Sequence, residues 1–446
     1  MRRWGILGVG LGEALIAVNF SIVSTALATI QKEFHASLLQ IQWMLNIFGI
    51  FMCVSLVLMG RLADSYGRKK VFMVGLAGSG VASLIAGFAP TASWIIAAQL
   101  VQGVAGAILL AVSQALMTHL FPAKQRSIAI GVWAAIAGIT LGLGPLLGGA
   151  IIDFIGWRWI FFINVPTAIV ALGIVGLSIR ESKNRKPVQE DVFGTLLLML
   201  TIGSFVLGVI QGPSWGWVSL PSLACCLTFF TALPAFIYVE AHAPFPIIQP
   251  QFFLQRAFLL PSLTNFCLIF FMWTLFFFLP LYFQQVKNYS PFQTGVLMLL
   301  VTAPVALFSH PVGRWYAKVG PKILIVIGFF LLMASIFLQF FFGPSSLLPL
   351  NITASLFFGF GWVLVWGPST TAAISSVPRE HAGIASGAFT TIQEIGATVG
   401  LTITGTVFRS SASPFMEGFR HSLWILLSLM VVGVIAAMKM EKRIKF

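Results

Sequence analysis

Residues 257–283 read AFLLPSLTNFCLIFFMWTLFFFLPLYF, a run without a single charged side chain. A helix rises about 1.5 Å per residue, so a run of this length crosses the roughly 30 Å hydrocarbon core of a bilayer. Its apolar residues follow one another without the every-second-residue alternation of a barrel strand, which selects a helix. Working outward, comparable runs lie near 5–29, 38–59, 71–89, 92–119, 127–152 and 159–179. Two more follow near 192–211 and 217–239, and after 257–283 come 292–312, 322–342, 348–374, 383–408 and 421–438. The expectation is an all-α polytopic membrane protein with fourteen spans.

Composition leaves no room for a water-facing globule. Of 446 residues 58% are hydrophobic and 9% charged, against about a quarter charged in soluble domains. The net charge of +14 is not a nucleic-acid signal, because the basic residues sit in short clusters between apolar runs rather than along one face. They report orientation, since Lys and Arg are retained on the cytoplasmic side. With fourteen spans, the loops on the side of both termini collect 21 of the 26 basic residues, and the other side keeps Lys32, Arg158, Lys287, Arg409 and Arg420. Trp43, Trp94, Trp157, Trp159, Trp215, Trp217 and Trp424 fall at the opposite ends of their helices, where an amphipathic ring anchors at headgroup level.

Cys53, Cys225, Cys226 and Cys267 all lie in apolar runs without ligand spacing, so they are read as packing residues, and no metal or cofactor is expected. Arg2, Arg3 and the apolar run ending near Ala26-Leu27-Ala28 imitate a secretory leader, but the run is long and holds Glu13 and Asn19. An uncleaved first helix is the expectation.

The chain repeats itself. Gly60-Arg61-Leu62-Ala63-Asp64-Ser65-Tyr66-Gly67-Arg68-Lys69-Lys70 and Gly313-Arg314-Trp315-Tyr316-Ala317-Lys318-Val319-Gly320-Pro321-Lys322 both place two glycines seven apart. Each joins the second and third helix of a six-helix block. The expected domains are a six-helix bundle at 1–180, a linker with two inserted transmembrane helices at 181–256, and a second six-helix bundle at 257–446.

These stretches resemble the major facilitator superfamily, and within it the fourteen-helix drug:proton antiporter branch. Residues 60–70 resemble its cytoplasmic-loop signature, and Leu100-Val101-Gln102-Gly103 resembles part of its fourth-helix motif. The fifth helix, Gly138-Ile139-Thr140-Leu141-Gly142-Leu143-Gly144-Pro145-Leu146-Leu147-Gly148-Gly149, is similar to the signature associated with antiporters, and Trp157 to Pro166 is similar to the segment after it. The resemblance implies proton-coupled, multidrug-efflux-like export of lipophilic or amphipathic small molecules by alternating access, from a bacterial inner (plasma) membrane with both termini cytoplasmic. Implied partners are the small-molecule substrate, protons and the lipid bilayer, without nucleic acid; a periplasmic adaptor is left open.

The motifs also carry physical meaning of their own. Gly60 and Gly67 permit a tight reversal, while Asp64 can accept hydrogen bonds from a helix N-terminus or from Arg68, forming a cytoplasmic gate. On the fifth helix Gly138, Gly142, Gly144, Gly148 and Gly149 leave a smooth surface and Pro145 favours a bend. Such a surface suits a helix that rocks, and equally one that simply packs closely.

Ionisable groups inside a bilayer cost about 2.5–3.5 kcal/mol each on insertion scales, so those present are functional candidates. Glu13 and Glu394 are the proton-coupling candidates, and Asp153 is an interfacial cap. The family resemblance puts an aspartate at Asn19 and an arginine at Gln99, so both members of an expected buried charge pair are neutral. Coupling therefore resides in Glu13 or Glu394, or the protein departs from proton exchange; Glu13, six residues from Asn19, does not share its helical face. Substrate-cavity candidates are Asn19, Asn46, Gln99, Gln102, Asn265, Trp273, Trp362 and Gln393.

An enzyme is not expected. The six histidines are scattered without metal spacing, and no GxxxxGK[ST] nucleotide loop is present. The alternative that keeps the fold is an importer or exporter of a specific metabolite or siderophore-like compound with non-standard coupling.

Overall fold

A computed structural model describes residues 2–120, 126–182, 192–243, 252, 254–377, 382–410 and 415–441. Lys124, Lys183, Arg185, Lys186, Arg379, Lys442, Arg443 and Lys445, used above for orientation, lie outside the described residues, as does most of the link before Gln255. The described chain is helical: α1 (Arg2–Phe34), α2 (Leu38–Tyr66), α3 (Arg68–Gly87), α4 (Ala92–Leu120), α5 (Arg126–Phe154), α6 (Trp159–Phe162), α7 (Asn164–Ser178), α8 (Val192–Trp215) and α9 (Leu220–His242). They are followed by α10 (Arg256–Leu281), which runs into a π-turn at Tyr282–Val286, then α11 (Pro291–Val319), α12 (Pro321–Gln339), α13 (Leu348–Ser375), α14 (Ala382–Ser410) and α15 (Phe415–Met438).

Among the described residues twelve helices are long and apolar enough to cross a membrane. The protein is therefore an integral, multi-pass, all-α membrane protein. Twelve is two fewer than the fourteen expected, and the two that differ are α5 and α14, each 29 residues long. In α5 the described apolar stretch is confined to Gly142–Phe154, and α14 is diluted by threonines, Glu394 and Arg409.

Local chemistry sets the breaks. Ser37 and Gln40 form a reciprocal capping box that starts α2, satisfying donors that a helix N-terminus leaves orphaned. Ser219 caps α9, and Pro221 follows within its first turn. Between α2 and α3 the chain reverses on Gly67 at φ +119°, and Gly320 at φ +80° does the same between α11 and α12. A side chain rarely adopts this backbone. Gly67 and Gly320 thus have one cause in both copies, whereas Gly60, expected at the reversal, lies inside α2 and Gly313 inside α11.

The chain forms two compact units, Met1–Thr195 with Tyr289–Val296, and Leu196–Asn288 with Leu297–Phe446. In the first, Val9 and Leu15 of α1, Phe72 and Leu76 of α3, Leu109 and Val112 of α4, and Ala171 and Val175 of α7 form a buried core. Along α1, helix α5 packs closely because Ser21 and Ile22 occupy the space a side chain would need: a Cβ on Gly144 would fall 1.9 Å from Ser21 Oγ and one on Gly148 2.9 Å from the Ile22 side chain. In the second unit α10 is the central helix, with Phe271 and Phe276 edge-on to Phe358, and Tyr282 stacked on Phe342 and Phe419. Helix α8 docks on α14 of that unit: Arg409 and Thr406 donate to the carbonyls of Ile210 and Val209 at 2.6 and 3.2 Å.

The α1–α5 contact predicts that Gly144→Val destabilises the detergent-solubilised protein by about 1–3 kcal/mol through overpacking. The double variant Gly144→Val with Ser21→Gly should recover part of the lost melting temperature. A single variant as heat-stable as the wild type would contradict this packing.

Candidate functional site

Polar side chains buried among apolar helices mark the candidate site, and each unit holds its own set. In the first unit Asn19 of α1, 3% exposed, donates from Nδ2 to Oε1 of Gln99 on α4 at 3.1 Å. The two positions where a charge pair was expected thus meet as neutral carboxamides. A neutral pair avoids the cost of desolvating two ions. One turn further along α4, Gln102 donates to Ser83 Oγ of α3 at 3.3 Å. Asn19 and Gln102 line one narrow cleft with Leu15, Ile16, Phe48, Ser79, Gly106 and Leu109, too tight here for a water molecule. Asn19 Oδ1 and Gln102 Oε1 are both buried without a protein partner.

Glu13 lies on α1 at 7% exposure, and Ser113 Oγ of α4 reaches its Oε2 at 3.4 Å. Asn46 of α2 is 1% exposed, and neither its Nδ2 nor its Oδ1 has a protein partner. It does not line the Asn19–Gln102 cleft.

In the second unit Asn265 of α10, wholly buried, donates to Ser369 Oγ of α13 at 3.0 Å and keeps Oδ1 unpaired. Trp362 of α13 is buried against Phe276, Phe358 and Trp366 while its indole N–H lacks a protein acceptor. Trp273 is buried on α10 and Gln393 half-buried on α14. Glu394 of α14 carries a buried Oε2 without a protein partner, as does the Thr398 hydroxyl one turn later. Leaving a buried polar atom unpaired costs about 1–3 kcal/mol. That cost falls at Asn46, Glu394 and Trp362, all three predicted from the sequence as site residues.

The 60–70 loop, expected as a gate, is held by charge-assisted hydrogen bonds. Arg68 Nε donates to Asp64 Oδ1 at 2.8 Å, pairing the two predicted residues across one turn. Glu181, which sequence reasoning passed over inside a charged stretch, accepts the backbone N–H groups of Lys69 and Lys70 at 3.0 and 3.1 Å. A carboxylate on the first N–H groups of α3 is favoured by their orientation and by the helix dipole. Gly67 is required there a second time, since its Cβ would sit 2.6 Å from the Glu181 carboxyl. Gly60 faces Ala111 at ordinary contact distance.

On α5, Gly138, Gly142, Gly144, Pro145, Gly148 and Gly149 occupy one helix. Three of them make close contacts: Gly144 and Gly148 meet α1, and a Cβ on Gly149 would strike the Pro291 carbonyl at 2.2 Å. Asp153, expected to cap, does so by accepting the Phe292 N–H at the start of α11 at 2.9 Å. A second feature missed from sequence is Glu33 at the end of α1, which pairs with Arg158 at 2.6 Å and also accepts from the Trp157 indole. Arg158 stands 4.5 Å from the Trp157 ring centroid. The signal was available, because Glu33 and Arg158 are two of few charges flanking the opposite helix ends.

With this geometry in view, the profile of the Major Facilitator Superfamily matches residues 9–401. The chain belongs to that superfamily. The multidrug resistance protein Stp of Mycobacterium tuberculosis is 31% identical over 414 residues, 92% of this chain and 77% of the relative. The tetracenomycin C resistance and export protein of Streptomyces glaucescens is 31% identical over 421 residues, 92% and 76% of the two chains. Among solved structures, a bacterial homologue of the human lysosomal transporter Spinster aligns with TM-score 0.70 at 17% identity, covering 98% of this chain and 96% of that one. A peptide transporter POT aligns with TM-score 0.72 at 12% identity, covering 98% and 94%. This Major Facilitator chain is a transporter.

Two measurements test the site. Asn19→Leu leaves Gln99 unpaired in the transporter core and should cost about 1–3 kcal/mol of stability, whereas Asn19→Leu with Gln99→Leu should cost less than the sum of the single changes. Strict additivity in that thermal double-mutant cycle would rule out the contact. Glu181→Gln should expose the 60–70 loop to faster hydrogen exchange at the Lys69 and Lys70 amides, and unchanged exchange there would contradict the Glu181 contact.

Proposed function

We propose that this transporter exports lipophilic or amphipathic small molecules in exchange for protons, as a fourteen-span member of the drug:proton antiporter branch. The observation that carries the reading is the likeness over 92% of the chain to relatives named for multidrug resistance and for antibiotic export. α5 and α14 join the twelve apolar helices as the remaining spans. The six-helix blocks 1–180 and 257–446 alternate access, with the pair in 181–256 inserted between them. Both termini face the cytoplasm of a bacterial plasma membrane, in keeping with the basic-residue bias.

Glu13 and Glu394 carry the proton in this scheme. Glu394 has the stronger support, since its buried oxygen lacks a protein partner while Glu13 is met by Ser113. Substrate meets Asn19, Asn46, Gln99, Gln102, Asn265, Trp273, Trp362 and Gln393, whose buried amides and indoles suit a largely apolar compound with few hydrogen-bonding groups. The gate residues Gly60, Asp64, Gly67 and Arg68 steady one state. A second reading, transport of a specific metabolite or siderophore-like compound with other coupling, draws on the neutral Asn19–Gln99 pair.

Uptake of a fluorescent lipophilic cation into everted membrane vesicles tests both. An imposed pH gradient, acidic inside, should drive accumulation, and Glu394→Gln should cut the gradient-driven component at least about tenfold, the scale expected when a required proton carrier is lost. Accumulation indifferent to the gradient would remove proton exchange and favour the second reading. Full activity in both Glu13→Gln and Glu394→Gln would remove these two carboxyls from coupling.

A further inference from the structure

The two copies of the glycine-spaced loop are built alike but balanced differently. Lys69 donates to the Gly176 carbonyl near the end of α7 at 2.7 Å, and Lys322 donates in the same way to the Met438 carbonyl at the end of α15. The first copy is electrically self-contained, with Asp64 on Arg68 and Glu181 on the α3 N-terminus. In the second copy Asp64 is matched by Ala317 and Arg68 by Pro321, while Lys318 replaces Ser65. Both halves of the ion pair are gone and a cation has been gained.

Among the described residues no acid of the chain pairs with this loop. From residue 241 to residue 379 the sequence contains neither Asp nor Glu. Among the described residues neither Arg314 nor Lys318 makes an ion pair. Four residues apart, they share one face of α11. With Pro311, Trp315 and Ala317 they line a groove of about 520 Å³. Both cations are exposed, and Trp315, 47% exposed, supplies an amphipathic wall.

We propose that this groove binds the phosphate headgroup of an anionic phospholipid. The guanidinium of Arg314 offers paired donors to phosphate oxygens, Lys318 adds a point charge, and Trp315 lies where indoles settle at the headgroup level. Acyl chains then follow the apolar flank of α11, where Leu307 is 69% exposed. Basic residues next to a span attract anionic lipid, and the attraction is additive over the charges. The site does not depend on the direction or the coupling of transport.

The test is lipid titration of the purified full chain in neutral detergent, read by native mass spectrometry with phosphatidylglycerol, phosphatidylcholine or inorganic phosphate as the probe. Wild type should retain phosphatidylglycerol over phosphatidylcholine. Arg314→Gln with Lys318→Gln should weaken phosphatidylglycerol retention about tenfold to thirtyfold, leave phosphatidylcholine unchanged, and keep the wild-type melting temperature, both side chains being exposed. Lys32→Gln, an exposed charge lost at the end of α1, should leave retention intact. Equal phosphatidylglycerol retention in the double variant, equal loss in Lys32→Gln, or displacement of the lipid by equimolar inorganic phosphate would overturn the assignment.

Discussion

Hydrocarbon cannot accept or donate a hydrogen bond, and the rest of this structure follows from that constraint. Backbone groups are satisfied along each helix, so the chain is a set of long helices joined by short reversals. Side chains obey the same rule with fewer options. Many serines and threonines solve it locally by donating to a carbonyl one turn back, as Thr274 does to Phe270 and Ser262 to Phe258. Longer polar groups must cross to another helix, as Asn19 does to Gln99 and Asn265 to Ser369. These bonds select which helices are neighbours. Polar atoms left over, on Asn46, Glu394 and Trp362 among others, are buried without a protein partner.

A second consequence concerns distance. Helices without side chains between them gain dispersion contacts that a lipid-solvated helix would otherwise make with acyl chains. The glycines of α5 serve this purpose, bringing the helix onto α1 at Gly144 and Gly148. Pro145 lies in the same stretch, and a Cβ on Gly295 would come within 2.3 Å of its carbonyl. At Gly144 and Gly148 the neighbours are the Ser21 and Ile22 side chains, and at Gly149 the Pro291 carbonyl.

At the membrane surface the constraint is relaxed and charge takes over. The loop at 60–70 closes on itself through Asp64, Arg68 and Glu181, whereas its counterpart at 313–322 keeps the glycine turn and the lysine cap but no acid. A repeated backbone has been kept while its charges diverged. The glycines answer a steric demand that does not change between copies; the charges answer to whatever each loop faces.

Helical class and membrane location were legible in the order of residues, because apolar run length is a local property that bilayer thickness imposes directly, whereas the count was not: twelve described helices are apolar enough to span, against fourteen expected. The superfamily was legible for the same reason, its motifs being contiguous. The candidates Asn19 and Gln99 were each visible as departures from a motif, but that they meet at 3.1 Å across 80 residues is a property of packing. Glu33 and Glu181 were visible as rare charges, but their partners were not, because a carboxylate's partner cannot be read from its neighbours in sequence: Glu181 reaches amides 111 and 112 residues away and Glu33 an arginine 125 away. Which buried polar atoms are left unpaired, at Asn46 and Glu394 above all, was decided only by tertiary structure, since satisfaction of a hydrogen bond depends on three-dimensional distance and not on composition.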